Sequence, residues 1–184
     1  MATKPDGTIE TARLRLEPLA LRHARGLEAF ARLWEVARFT SQVPHPYPPG
    51  GATAFIEGVM AERRRGGGHV FAAVDKASGS VIGCAGLDLG DDGRSAELGY
   101  IYAPWVWGRG YATETARALV GHGFETLGLD AVLSHAMVAN RASCRVLAKA
   151  GLRRIGNNVF EVPPERGSRA IGECYRLTRR EWQA

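Results

Sequence analysis

Apolar and polar positions alternate along "TIETARLRLEP" (8–18), where Leu14 and Leu16 interleave with Arg13, Arg15 and Glu17. A period of two predicts a half-buried strand. The period lengthens over residues 20–37, where Leu21, Ala24, Leu27, Phe30, Ala31 and Trp34 share one helical face. "SQVPHPYPPGG" (41–51) breaks both periods with four prolines and two glycines and predicts an irregular loop. A second helix over 52–65 carries Phe55, Ile56, Val59 and Met60 as its apolar stripe. Strand-like runs follow at 69–75, 80–89 and 94–103, joined by "KASG" and "GDDG", whose residues tolerate the positive φ of hairpin turns. The helix that comes next buries Ala116, Leu119, Val120, Phe124 and Leu127, with Gly128 as its stop. Residues 131–139 predict a fifth strand. A helix over 141–150 sets Ser143, Val146, Leu147 and Ala150 along one side, and two last strands lie near 152–162 and 172–179.

The order is β-α-α-β-β-β-α-β-α-β-β. A helix between strands 94–103 and 131–139 is a crossover, so those two strands should be parallel within an otherwise antiparallel sheet. The expected class is α+β, a mixed α/β layer. No repeat or linker divides the 184 residues, so 1–184 reads as a single domain.

Composition narrows the function. With 45% hydrophobic and 23% charged residues the chain is ordinary globular material. No apolar run nears the ~20 residues of a membrane span. "MATKPDGTIE" lacks an apolar leader core, so a cytoplasmic location and no membrane partner are expected. A formal charge of +5 suits an anionic small ligand. The arginines are scattered, which argues against a nucleic-acid partner. Their one dense cluster, Arg63 to Arg65, leads into three glycines and reads as the solvated end of a helix. Cys84, Cys144 and Cys174 form no C-x-x-C pair and no histidine cluster, so neither a disulfide framework nor a metal site is expected.

"WGRGYATE" (107–114) joins the strand at 94–103 to a helix through two glycines. The first turn of a helix leaves backbone N–H groups without partners, and its dipole favours an anion there. Glycines let a phosphate approach those donors closely; the plainer reading is a tight turn. The stretch is neither G-x-x-x-x-G-K-[ST], since no lysine follows, nor G-x-G-x-x-G, since Thr113 holds the third position.

The complete pattern resembles the GNAT superfamily of acyl-CoA N-acyltransferases, most closely its RimJ/RimL-like branch. W-G-R-G-Y-A (107–112) is similar to the family's Q/R-x-x-G-x-G/A motif, with Trp107 in place of Gln or Arg. "TARLRLEPL", "AELGYIYAP", "NRASCRVLAKAGL" and "YRLTRREW" extend the likeness over nearly the whole chain. The resemblance implies a GNAT-like fold, a mostly antiparallel central sheet with one splayed parallel pair, flanked by helices. It implies acetyl-CoA as co-substrate and no metal. The pantetheine arm would lie in the gap, against backbone groups of Ile101, Tyr102 and Ala103. The pyrophosphate would sit on the amides of Gly108, Arg109, Gly110, Tyr111, Ala112 and Thr113.

Direct attack of an amine on a thioester needs a neutral amine, a polarised carbonyl and a proton for the departing thiolate. Ser143 occupies the place of a family serine near the cofactor sulfur and would donate to the thiolate. Asn140 reads as a helix N-cap, compatible with contacting the cofactor. Glu97 shares a strand face with Gly99 and Ile101; an apolar surround would raise its pKa and suit it to take the amine proton, while the alternative is an ion-paired strand residue. His135 reads as a core histidine before a base. Tyr175 and Glu173 are reserve candidates. The resemblance implies that the acceptor, a small-molecule amine or a protein N-terminus, would lie beside the first two helices and loop 41–51, whose His45 and Tyr47 either line a cleft or pack the loop onto the body. A homodimer stays open. The alternative to an N-acetyltransferase is a catalytically silent acyl-CoA-binding or regulatory module.

Overall fold

The computed structural model describes residues 7–184; the polar stretch 1–6 lies outside the described residues. One eight-stranded sheet runs in the order β1-β2-β3-β4-β5-β6-β8-β7. Its strands are β1 (Ile9–Glu10), β2 (Leu14–Pro18), β3 (His69–Asp75), β4 (Val81–Leu89), β5 (Ser95–Tyr102), β6 (Ala131–Met137), β7 (Arg153–Glu161) and β8 (Arg169–Thr178). The helices are α1 (Ala24–Ala31), α2 (Trp34–Ala37), α3 (Gly51–Arg64), α4 (Tyr111–Glu125), α5 (Arg141–Lys149) and α6 (Arg179–Trp182). Every pairing is antiparallel except β5 with β6, the pair predicted from the crossover.

β3 is buried on both faces, from Phe71 to Val74, so helices must cover both sides of the sheet. α4 and α5 lie on the face that carries Leu87, Leu98 and Val132; a Cβ on Gly123 of α4 would touch both Leu87 and Val132. α1 and α3 pack together on the other face, where Gly26 lets α1 press against the Val81 side chain. Among the described residues no helix is long and apolar enough to cross a membrane.

Two predicted elements divide. The strand expected over 8–18 turns at Thr11–Arg13, where the Leu14 N–H donates to Thr11 Oγ1 at 2.9 Å and β1 folds back on β2. The helix expected over 20–37 is a 3₁₀ turn at Leu21–His23, then α1, a break at extended Leu33 (ψ 134°), and α2. Three residues per 3₁₀ turn and one extended residue change the phase of the apolar stripe. Leu21 and Trp34 therefore emerge exposed, while Phe30, Ala31, Val36 and Ala37 are buried.

The decisive feature is how briefly β5 and β6 pair. Their register covers Ser95–Ala131, Ala96–Val132 and Glu97–Leu133 and then stops, although both strands continue. Two side-chain contacts close the apex of the resulting gap. On the α4/α5 face, Ser134 Oγ donates to the Leu98 carbonyl at 2.7 Å. On the opposite face, His135 Nδ1 lies 2.7 Å from Glu97 Oε1.

Candidate active site

The gap leads from this apex to the glycine junction. Gly108 (φ 76°) and Gly110 (φ 81°) both take the left-handed conformation that side chains rarely adopt. Nothing stands within 4 Å of a Cβ built on Gly108, so glycine is needed there for dihedral reasons. Gly110 is the N-cap of α4 and offers no capping side chain, which leaves the first-turn amides of Tyr111, Ala112 and Thr113 open to a ligand. A groove of about 860 Å³ runs over these turns, lined by Arg13, Gly110, Thr113, Arg117 and Lys149 among others. Arg13, Arg117 and Lys149 bring positive charge to the groove, and Glu10 and Glu114 also line it.

The junction is braced from the far edge of the sheet. Arg13 Nη1 donates to the Arg109 carbonyl at 2.8 Å, and its guanidinium lies 4.2 Å over the Tyr111 ring. The Glu114 carboxylate receives the Arg13 N–H and Nε–H at 2.7 Å each and the Thr11 hydroxyl at 2.7 Å. Partial burial opposes the charge on Glu114, but the hydrogen bonds from Thr11 and Arg13 outweigh it and hold the carboxyl below its usual range. Neither Arg13 nor Glu114 stood out in the sequence, because their meaning comes from a contact 101 residues apart.

Backbone direction corrects part of the expected pantetheine contact. The Ala103 N–H donates to Ile82 O, and the Ala103 carbonyl accepts from Val106 N–H. Peptide groups alternate from one side of a strand to the other, so Ile101 also turns toward β4. Of the three residues expected to line the gap, Tyr102 alone faces it with its backbone, in line with Tyr100 and Leu98. Trp107 gains a role: its indole N–H donates to the Tyr102 carbonyl at 2.8 Å. Tyr102 Oη meets Thr115 Oγ1 at 2.5 Å, tying β5 to α4 just beyond the junction.

On the α4/α5 face, Asn140 Oδ1 caps α5 by accepting the Ser143 N–H at 3.1 Å. Ser143 Oγ lies 2.7 Å from Tyr100 Oη, and either hydroxyl can donate. Burial pushes the Tyr100 phenol well up, so it holds its proton at neutral pH. Tyr175 is buried on the same face and donates to Glu173 Oε2 at 2.5 Å. That bond, with Arg154 and Arg141 nearby, holds the Glu173 carboxyl low. Cys144 is buried beside them, and burial raises its thiol, which fits a small apolar residue.

The opposite face holds Glu97, and the apolar surround expected for it is absent. Its side chain is 52% exposed and lies against His135, which is itself 29% exposed and no core histidine. The His135 ring stacks on Phe160 with centroids 4.1 Å apart and planes 16° apart. Loop 41–51 borders this side of the molecule: Tyr47 packs against the core, and the ring centroids of His45 and Trp34 are 5.0 Å apart. Arg166, only 2% exposed, donates to the carbonyls of Thr40 and Val43 and so ties the β7–β8 connection to the start of that loop. Among the described residues no group of three or more His, Cys, Asp or Glu could hold a metal.

Residues 13–153 match the family model described as acetyltransferase (GNAT) domain. FsC-acetyl coenzyme A-N(2)-transacetylase of Aspergillus fumigatus is 40% identical over 88 residues, which are 47% of this chain and 37% of that protein. The chain thus spans well under half of that relative's length. The uncharacterized N-acetyltransferase p20 of Bacillus licheniformis is 27% identical over 154 residues, 81% of this chain and 84% of p20. A GNAT-family acetyltransferase from Bacillus anthracis superposes with a TM-score of 0.81 at 18% identity, covering 93% of this chain and 98% of its own, and shares the fold.

Proposed function

The chain belongs to the GNAT acetyltransferase domain family, and from that premise we propose that it moves an acetyl group from acetyl-CoA to a primary amine of a small molecule or a protein N-terminus. The observation that carries this reading is the parting of β5 from β6 after Glu97–Leu133, with the gap opening toward an uncapped, glycine-flanked helix N-terminus. A strand edge without a ladder partner is a surface that an extended amide-bearing arm can satisfy.

Acetyl-CoA supplies an activated acetyl group as a thioester. The residues around the gap divide the remaining work. The amides of Gly108 to Thr113 hold the pyrophosphate, with Arg13, Arg117 and Lys149 adding positive charge over the groove. Tyr100 and Tyr102 present backbone groups to the arm, and Asn140 shapes the N-terminus of α5 beside it. Ser143 offers its hydroxyl proton to the departing sulfur, and Tyr100 supplies the hydrogen bond behind it. Glu97 marks the basic side of the gap, where the acceptor enters below loop 41–51. Placement in the RimJ/RimL-like branch rests on the four sequence stretches quoted above.

The test is thiol release from acetyl-CoA across panels of amines and N-terminal peptides, with the acetylated product identified by mass. Release with at least one amine supports the reading. Tight acetyl-CoA binding without release for any amine favours a silent acyl-CoA-binding module.

A further inference from the structure

We propose that His135, oriented by Glu97, is the catalytic base, and that its Nε2 takes the proton from the acceptor nitrogen. The inference rests on the acetyltransferase reading above and names the atom that does this work within it. Three observations converge on the imidazole. It sits at the apex where β5 and β6 part, two residues past Leu133, the last paired position of β6. Its Nδ1 lies 2.7 Å from the Glu97 carboxylate, an ion-pair distance that ties this edge of the ring to β5. Its plane is set by the stacked Phe160 ring, and that ring lies flat because position 172 has no side chain: a Cβ on Gly172 would fall 2.5 Å from Phe160 Cε2.

Partial exposure fits the task. With 29% of its side chain accessible, His135 can pass a proton to water after each turnover, and Nε2 has no hydrogen-bond partner among the described residues. The groups that share its surroundings are few. β5 contributes Glu97, with Asp88 of β4 as the register partner of Glu97; β8 contributes Cys174, the register partner of His135, and Arg176 on the same face; β7 contributes Arg153 opposite Arg176 and the uncharged Asn158 and Phe160. Among the described residues the Glu97 carboxylate is the anion at contact distance, and Glu97 becomes a positioning residue.

The step balances as follows. The amine nitrogen forms a bond to the acetyl carbon, and the carbon–sulfur bond breaks with its electron pair leaving on sulfur. The nitrogen's surplus proton goes to His135 Nε2 and then to solvent. The sulfur takes a proton from Ser143, which is replenished through Tyr100 from solvent.

His135→Ala, His135→Gln and Glu97→Gln should all bind acetyl-CoA as the wild type does, measured by calorimetry. His135→Ala should lose roughly 10²–10⁴-fold in kcat, the usual worth of a positioned base, and added imidazole should restore part of it. Glu97→Gln, which keeps the side-chain shape but removes the charge that positions the ring, should lower kcat while KM for acetyl-CoA and for the amine stays unchanged. Wild-type rates in His135→Ala would overturn the proposal while leaving the acetyltransferase reading intact. So would rescue by His135→Gln together with indifference to imidazole, since that marks a structural ring. A second readout needs no turnover: ¹⁵N spectra of labelled histidine should show the neutral ring protonated at Nδ1, with the preference lost in Glu97→Gln. A proton on Nε2 in the wild type would refute the assignment.

Discussion

Arg13 donates from Nη1 to the carbonyl of Arg109 at 2.8 Å, so a turn at the edge of the sheet holds the loop that opens α4. Glu114 locks that arginine with two further hydrogen bonds of 2.7 Å. Without Arg13 the loop loses its tether, and an uncompensated carboxylate remains in the first turn beside the proposed phosphate site. Arg13→Ala should weaken acetyl-CoA binding about tenfold or more, the scale of one hydrogen bond to a charged group. Arg13→Ala combined with Glu114→Gln should regain part of the loss. An equally poor double variant would mean that charge near the phosphates is irrelevant and only the tether counts. Calorimetric titration with CoA decides between them.

Glu114 also gives a pH signature. Its folded pKa is lowered, so its contribution to stability is complete above the ordinary carboxylate range and fades as the pH falls through the lowered value. The melting temperature of the wild type should exceed that of Glu114→Gln at neutral pH, and the two should converge only as the pH falls well below the ordinary carboxylate range. A gap that persists unchanged into acid would show that the hydrogen bonds to Thr11 and Arg13 do not depend on the charge.

Acetyl-CoA should raise the melting temperature in a concentration-dependent way, since a ligand that binds only the folded state stabilises it. Gly108→Ala should blunt that rise through dihedral strain alone, because its Cβ meets nothing within 4 Å. Gly110→Asp should abolish it by adding strain and a negative charge at the phosphate. Arg109→Ala should change little, as its part is a backbone one. Normal stabilisation of the Gly110 variant would remove the phosphate from this loop.

Ser143→Ala and Tyr100→Phe remove the two ends of one 2.7 Å hydrogen bond. Both should lower kcat with acetyl-CoA affinity nearly intact, because protonating the departing sulfur matters in the transition state. The double variant should be little worse than Ser143→Ala if the two hydroxyls act in series. Strictly multiplicative losses would mean that each acts alone.

Arg166→Met keeps the volume of a buried side chain but strips two carbonyl partners from Thr40 and Val43. Loop 41–51 should loosen, and KM for the amine should rise several-fold while CoA affinity stays put. A matched fall in both would assign Arg166 to the stability of the whole body and separate the loop from the acceptor.

The alternation in β2, β3, β4 and β5, the hairpin turns, and the crossover that makes β5 and β6 parallel were legible in the sequence, because each is a local period or a consequence of connection length. The glycine junction was legible for the same reason: positive φ next to a helix start is written in two glycines one residue apart. What joins distant segments was not. That Arg13 braces Arg109, that Arg166 grips the loop before α3, and that Ser143 is hydrogen-bonded to Tyr100 depend on registers no local pattern encodes. The break at Leu33 hid for a related reason, since the apolar stripe is read with a constant period and a 3₁₀ turn resets it. His135 shows the difference most plainly. Its alternation with Leu133 and Met137 suggested the core, yet the sheet splits beside it, and a strand whose neighbour has parted leaves one face open. Sequence period determined which way the imidazole points; the parting of β5 from β6 decided that Glu97, Phe160 and solvent would meet it there.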